Sequence, residues 1–94
     1  MKIIEVTFLK SNSDTVLARA DVHFEGFILK GFKVLKDNKT NKNFATPPSY
    51  RAGIYWRPLF RTDTPEDWQK ISDRILEEYE KGLIKESLEE TNMS

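Results

Sequence analysis

The chain has 94 residues, no cysteine and a formal net charge of zero. A chain this short forms one domain with a single small core. Without cysteine, a disulfide framework, a thiolate zinc site and a thiol nucleophile are all excluded. No apolar run approaches membrane-spanning length, and Met1-Lys2 leads into an alternating segment rather than a signal peptide. We therefore expect a soluble cytoplasmic protein without membrane contact.

The zero net charge hides an asymmetry between the two ends of the chain. Residues 1–62 carry eleven lysines and arginines against five acidic residues, whereas residues 63–94 carry four against ten. The first part is therefore basic and the second part acidic. Such polarity can steer a polyanion to one side of the molecule, or it can merely keep the protein in solution.

Two strands are predicted at the start of the chain, in residues 2–9 and 16–24, on either side of a turn cluster at residues 11–14. The second strand alternates cleanly between apolar and more polar positions. Its buried face is predicted to hold Val16, Ala18, Ala20, Val22 and Phe24, and its wetter face Leu17, Arg19, Asp21 and His23. Glu25-Gly26 is then a tight turn into a third strand.

The segment from Phe27 to Arg51 predicts a hairpin at the centre of a small sheet. Residues 27–36 are rich in apolar residues and form a long strand, and residues 37–43 contain only polar turn formers. Residues 44–46 form a short return strand, which ends at Pro47-Pro48 because proline cannot donate to a strand ladder. The first four strands should form an antiparallel meander.

Beyond these prolines, Ala52-Gly53 predicts a turn and residues 54–56 a short fifth strand that ends before Pro58. Leu59 and Phe60 are expected to pack this connection against the core.

A helix is predicted to begin at Thr64-Pro65, with threonine as the cap and proline in the first turn. Its apolar stripe comprises Trp68, Ile71, Ile75, Leu76, Tyr79 and Leu83, and Gly82 is the expected C-terminal stop. We thus expect one domain over residues 1–83 and an acidic, disordered tail over residues 84–94.

The sequence contains no residue pattern that is typical of an enzyme active site. His23 is the only histidine, and no serine lies in a nucleophile elbow. A glycine-rich phosphate loop and a metal-ligand cluster are also missing from the sequence. We therefore expect no enzyme, no cofactor, no metal and no small-molecule substrate.

A basic and aromatic group of residues stands out on or near the central hairpin and its exit. It comprises Lys30, Lys33, Lys36, Lys39, Lys42, Arg51, Arg57 and Arg61, with Tyr50, Tyr55 and Trp56 between the arginines. Two interpretations are open. The cations neutralise phosphates while the rings stack on unpaired bases; or the lysines only protect a strand edge and Tyr55 and Trp56 belong to the core.

Short motifs are distributed over residues 3–83 and carry a family resemblance. They are Ala20-Asp21-Val22, Lys33-Val34-Leu35, the FATPPSYR segment of residues 44–51, Pro58-Leu59, and Ile71, Ile75-Leu76 and Glu78-Tyr79 in the helix. Together they resemble the SpoVG family of small bacterial regulators, named for a stage V sporulation and septation protein.

The resemblance implies an α+β fold, with an antiparallel sheet of four to five strands and one C-terminal helix packed on it. It also implies a homodimer built by strand-to-strand pairing and a regulator that binds DNA or RNA. Arg51 carries over most directly, because it follows Pro48-Ser49 in the family's motif, whereas Tyr50 stands where the family usually has a second basic residue. The acidic helix start also departs from the family pattern, and its carboxylates would repel phosphate.

We therefore expect a small, non-enzymatic, nucleic-acid-binding regulator. In this hypothesis Lys33, Arg51 and Arg57 neutralise phosphates, and Tyr50 stacks on a base or donates a hydrogen bond. The alternative is a protein-interaction module of the same fold that has lost nucleic-acid binding and uses its acidic helix or a sheet edge. The two differ in whether the basic residues converge on one surface.

Overall fold

The computed structural model describes residues 2–11 and 13–93, with side chains described as far as Gly82. Its elements are β1 (Ile3–Lys10), β2 (Val16–Phe24), β3 (Phe27–Lys36), β4 (Asn43–Thr46), β5 (Ser49–Ala52), β6 (Tyr55–Pro58) and α1 (Pro65–Met93). Strands β1 to β4 form one antiparallel sheet in sequence order, and β5 and β6 form a separate antiparallel sheet of two strands. The predicted α+β class and the four-stranded meander are confirmed.

The four-stranded sheet buries one face beneath α1. Ala20 pairs with Phe32 and Ala18 with Val34, so that small and large side chains alternate across the strands. The core consists of Val6, Ala18, Ala20, Val22, Phe24, Phe32, Val34 and Ala45 from the sheet and Ile71 and Ile75 from the helix. Fully burying a large apolar side chain of this kind stabilises the fold by about 1.5–3 kcal/mol.

Phe32 joins three parts of the chain. Its ring is fully buried, meets Phe60 edge to face at 5.6 Å between centroids and stacks with Trp68 at 6.3 Å. Phe60 therefore packs against the core as predicted, and Trp68 anchors the helix start. The matching prediction for Leu59 is wrong, because its side chain is exposed, just after the last strand.

Irregularities in β2 and β3 adjust the register. The β2–β3 pairing shifts between Val16 and Ala18, and Leu17 packs against the core although the alternation predicts it on the wetter face. A bulge of this kind opposes an extra residue to one partner and so breaks the strict period of two.

Gly31 marks the junction between the large sheet and the hairpin. Its φ is +98°, and a Cβ built there would lie 3.5 Å from Cβ of Pro48. Pro48 is buried, and its carbonyl oxygen accepts a 2.7 Å hydrogen bond from the backbone N–H of Leu59. These contacts hold the base of the β5–β6 hairpin against β3.

The hairpin formed by β3 and β4 lies at one edge of the sheet, whereas the sequence predicts it at the centre. β3 lies inside the sheet, but β4 is an edge strand of four residues. The predicted fifth strand exists as β6, yet it pairs with residues 49–52 in its own sheet rather than extending the first one.

Helix α1 begins as predicted and ends later than predicted. Oγ1 of Thr64 accepts a 3.2 Å hydrogen bond from the backbone N–H of Asp67, which caps the first turn. The predicted stop at Gly82 is wrong, since the helix continues to Met93 and so crosses the predicted boundary between the domain and the tail. A single glycine costs a helix only about 1 kcal/mol, and good helix formers such as leucine, lysine and glutamate follow it.

Within the described residues, no helix combines the length and the apolar character that crossing a membrane requires.

Candidate nucleic-acid interface

Lys33 lies on the face of the four-stranded sheet that α1 does not cover. Its neighbours Phe32 and Val34 are fully buried, and alternation therefore turns Lys33 to the opposite, open face. The side chain is half-buried there, and its Nζ lies 5.4 Å from the ring centroid of Trp56. This cation–π contact connects the open face of the sheet to the hairpin.

Trp56 is an exposed aromatic residue rather than a core residue. Its side chain is 63% exposed and that of its neighbour Tyr55 is 66% exposed. The interpretation that placed both rings in the core is therefore wrong. The physical reason is that β5 and β6 form a two-stranded sheet of their own, in which all four residues of β6 are exposed.

Arg51 lies beside Trp56 on the same face of the hairpin, because the two residues are directly paired across β5 and β6. Its Nε donates a 3.1 Å hydrogen bond to the carbonyl oxygen of Gly53 in the turn. This bond orients the guanidinium while four further N–H donors of the group stay available. Lys33, Trp56 and Arg51 thus form a group that we call the Trp56 cluster.

Tyr50 and Arg57 form a second pair on the opposite face of the hairpin. They are paired with one another across the strands and alternate with Arg51 and Trp56. Both side chains are exposed. The structure therefore brings together Lys33 and Arg51 among the predicted site residues, and separately Tyr50 and Arg57, on two faces of one narrow ribbon.

The hairpin region contains no carboxylate side chain of its own. From residue 38 to residue 62 the chain has five lysines and arginines and no aspartate or glutamate. Among the residues whose side chains are described, the salt bridges all lie within α1: Arg74–Glu78, Lys81–Glu77 and Lys81–Glu78. The cations of the hairpin consequently keep their charge available for an external anion.

Arg19 is a basic residue of the open face that the sequence does not single out as a site residue. It is exposed and lies directly opposite Lys33 in the β2–β3 register. Like charges placed opposite one another destabilise a sheet. Arg19 lies opposite Lys33 because of the β2–β3 register, which shifts at two places along the strands. The sequence alternation of β2 indicates only that Arg19 points away from the core.

The long strand does not present all its lysines on one face. Lys33 and Lys36 are an odd number of residues apart, so alternation turns them to opposite faces of β3. The basic residues therefore converge only in part, at Lys33, Arg19 and the hairpin. Arg57, for its part, is exposed and takes part in none of the salt bridges between described side chains.

The acidic helix start lies on the other side of the sheet from Lys33. Trp68, in the first turns of α1, stacks on Phe32, whose side chain points away from the open face. Asp63, Glu66 and Asp67 belong to this helix side. The four-stranded sheet therefore lies between the first turn of α1 and an anion bound at Lys33.

In the part of the chain that the structure describes, no three histidine, aspartate or glutamate side chains lie close enough together to bind a metal ion.

No protein-family model matches the chain, and no curated protein matches its sequence. The resemblance to the SpoVG family therefore stays a prediction.

Proposed function

We propose that this chain is a small nucleic-acid-binding protein that contacts its ligand through the β5–β6 hairpin and the adjoining open face of the sheet. The observation that carries the proposal is the Trp56 cluster. An exposed indole lies against the Lys33 ammonium and beside the Arg51 guanidinium, in a region without carboxylates. We further propose a cytoplasmic, non-enzymatic and regulatory role, in keeping with the SpoVG-like motifs.

The cluster combines the two interactions on which such binding depends. Lysine and arginine neutralise phosphates and release counterions, which makes the affinity strongly dependent on salt. An exposed indole offers a flat surface to a base, and each stacked base contributes about 1–3 kcal/mol. Arg57 and Tyr50 supply a second cation and ring on the other face of the hairpin.

The test is fluorescence anisotropy of labelled DNA and RNA oligonucleotides over a series of salt concentrations. We expect micromolar binding at low salt, with log affinity falling against log salt by a slope of about 1–3, because two to four phosphates are contacted. Lys70→Glu is a matched control for charge, since Lys70 is exposed and belongs to α1 rather than to either sheet. Failure of every oligonucleotide to bind at low salt would overturn the proposal.

We also propose that two copies of the chain pair through strand β1. This strand is an edge of the four-stranded sheet, has eight residues and exposes the large side chains of Ile4 and Leu9. A long unpaired edge is a template for another strand, whereas the other edge, β4, has only four residues. Light scattering after size exclusion should give twice the 11.0 kDa mass of one chain; the mass of a single chain would contradict pairing.

A second candidate function is a protein-interaction module. The observation in its favour is the tip of the hairpin, where Ile54 is 81% exposed and has no ring to stack on a base. Contiguous exposed apolar side chains mark protein-contact sites. If the hairpin binds nucleic acid, Ile54→Ser should leave the oligonucleotide affinity almost unchanged. If oligonucleotides fail to bind and Ile54→Ser abolishes self-association measured by light scattering, a protein-binding tip is favoured instead.

A further inference from the structure

The open face of the four-stranded sheet continues the Trp56 cluster away from the hairpin. Across the strands, Leu9 pairs with Arg19, Arg19 with Lys33, and Lys33 with Thr46. The two cations occupy the middle of this row, with Cα atoms about 4.5–5.5 Å apart as in any antiparallel pair. A row with this composition favours an anionic chain lying across the strands.

The Arg19–Lys33 pair is unfavourable without a ligand. Two cations directly opposite one another repel, and the described side chains form no salt bridge with either of them. The nearest carboxylate on the same face of β2 belongs to Asp21, two residues along from Arg19 and opposite Thr7. A phosphate placed between the two cations would remove the repulsion.

The indole of Trp56 restricts the kind of nucleic acid that can use this row. In a duplex both faces of each base are covered by neighbouring bases, so a protein ring cannot stack on them without unstacking the helix. Single strands present free base faces, and aromatic side chains beside a basic groove are typical of proteins that bind them. A two-stranded ribbon can also enter a major groove, and the two arginines of the hairpin suit base edges there. The three exposed rings, Tyr50, Tyr55 and Trp56, find a free base face only on an unpaired strand.

From these observations we infer that the ligand is an unpaired strand of nucleic acid, with one base stacked on Trp56 and the following phosphates bound at Lys33 and Arg19. This inference rests on the proposed function and extends it in two respects. It names single strands as the preferred substrate class, and it adds Arg19, which lies in a different strand from every predicted site residue, to the binding surface.

The test compares a labelled oligothymidylate with the duplex that the same strand forms with oligodeoxyadenylate, at one low salt concentration. Oligouridylate of equal length separates RNA from DNA. We expect both single strands to bind more tightly than the duplex. Trp56→Leu should weaken binding to the single strands by about ten- to a hundred-fold and leave the weak duplex binding unchanged.

The role of Arg19 is tested by Arg19→Glu, with Lys70→Glu as the charge-matched control. Arg19→Glu should weaken binding to oligothymidylate and reduce its salt slope by about 0.7–1.4, because one or two phosphate contacts are lost. Arg19 and Lys70 are both exposed, so neither variant should lower the unfolding temperature measured by circular dichroism, and Arg19→Glu should raise it slightly because the repulsion with Lys33 is lost.

The outcomes separate this inference from the function on which it rests. Equal binding of single strand and duplex, or tight single-strand binding that Trp56→Leu does not weaken, would overturn the inference and leave nucleic-acid binding standing. Absence of binding to all three probes would overturn both. An Arg19→Glu variant with the affinity and salt slope of the Lys70→Glu control would exclude Arg19 from the surface.

Discussion

The two sheets of this protein use their aromatic residues in opposite ways. In the four-stranded sheet Phe32 is fully buried and contacts both Phe60 and Trp68. In the two-stranded sheet Trp56 is exposed, and its one described aromatic–cation contact is with Lys33 of the other sheet. The first sheet and α1 therefore supply the stability of the fold, while the hairpin leaves its side chains available for binding.

The largest effect is expected from the core. Phe32→Ala removes a fully buried ring that joins the sheet, the connection after β6 and the helix. We expect a loss of about 3–5 kcal/mol in the free energy of unfolding, measured by urea denaturation. Phe44→Ala, the same change at a partly exposed position of β4, should cost much less. Similar losses in the two variants would contradict the division between a buried core and an open face.

The next effect concerns the hairpin. Arg51→Glu places a negative charge beside Trp56, and we expect it to abolish oligonucleotide binding measured by anisotropy. Thermal stability should change little, because Arg51 is exposed and its one side-chain hydrogen bond goes to the carbonyl of Gly53. Lys70→Glu again controls for charge. A large drop in the unfolding temperature would instead make Arg51 a structural residue.

A smaller effect is expected at the junction between the two sheets. Gly31→Ala introduces a side chain at a φ of +98°, and the new Cβ lies in contact distance of Pro48. We expect a loss of about 1–2 kcal/mol in the free energy of unfolding.

Gly82→Ala is the matched control, and its expected effect on the free energy of unfolding has the opposite sign. Gly82 lies in α1 with nothing within 4 Å of an added Cβ, so Gly82→Ala should stabilise the protein by up to about 1 kcal/mol. Chemical denaturation measures both variants. Stabilisation by Gly31→Ala would show that the junction does not depend on this backbone conformation.

The smallest effect concerns the start of α1. Thr64→Ala removes the oxygen that accepts the Asp67 N–H, and we expect a loss of about 1 kcal/mol. Thr64→Ser retains a capping hydroxyl and should behave almost like the original protein. Because this end of the helix lies on the covered side of the sheet, neither variant should change oligonucleotide affinity, and a change would place the helix start within the binding surface.

Much of the first sheet could be predicted, because each of its strands carries a local signal. The alternation of β2 predicts Val16, Ala18, Ala20, Val22 and Phe24 on the buried face, and the last four are buried as predicted. Val16 is only half-buried, because the register shifts between Val16 and Ala18. The bounds of β2 and β3 and the start of α1 at Pro65 also agree with the prediction. These signals are strong because burial on one face imposes a period of two on a strand and a threonine-proline pair sets a helix start.

The hairpin could be predicted only in part. The turn at Gly53 and a strand after it follow from local residues, but the partner of β6 depends on where Pro48 packs against Gly31. Exposure of Trp56 could not be read from its sequence neighbours, since an aromatic residue in a short strand is more often buried. The helix end was also missed, because Gly82 keeps a helical backbone where a stop needs a positive φ.

The residues of the candidate site could be predicted from the sequence, but their arrangement in space could not. Lys33, Arg51, Arg57 and Tyr50 follow from composition and motif, but their division between two faces of the hairpin follows from strand pairing. Arg19 could not be linked to Lys33 from the sequence, because the β2–β3 register contains two irregularities. Contacts across strands depend on such shifts of one residue, which leave no local pattern.

The fluorescence of Trp56 during a titration with oligothymidylate tests the proposed binding site most directly. Trp68→Phe leaves Trp56 as the one indole of the chain, which has two tryptophans, and keeps an aromatic ring against Phe32. We expect the fluorescence to be quenched as the oligonucleotide binds and to recover as salt is added, because a base stacks on the indole beside bound phosphates. Unchanged fluorescence at an oligonucleotide concentration that saturates the anisotropy signal would contradict a binding site at Trp56.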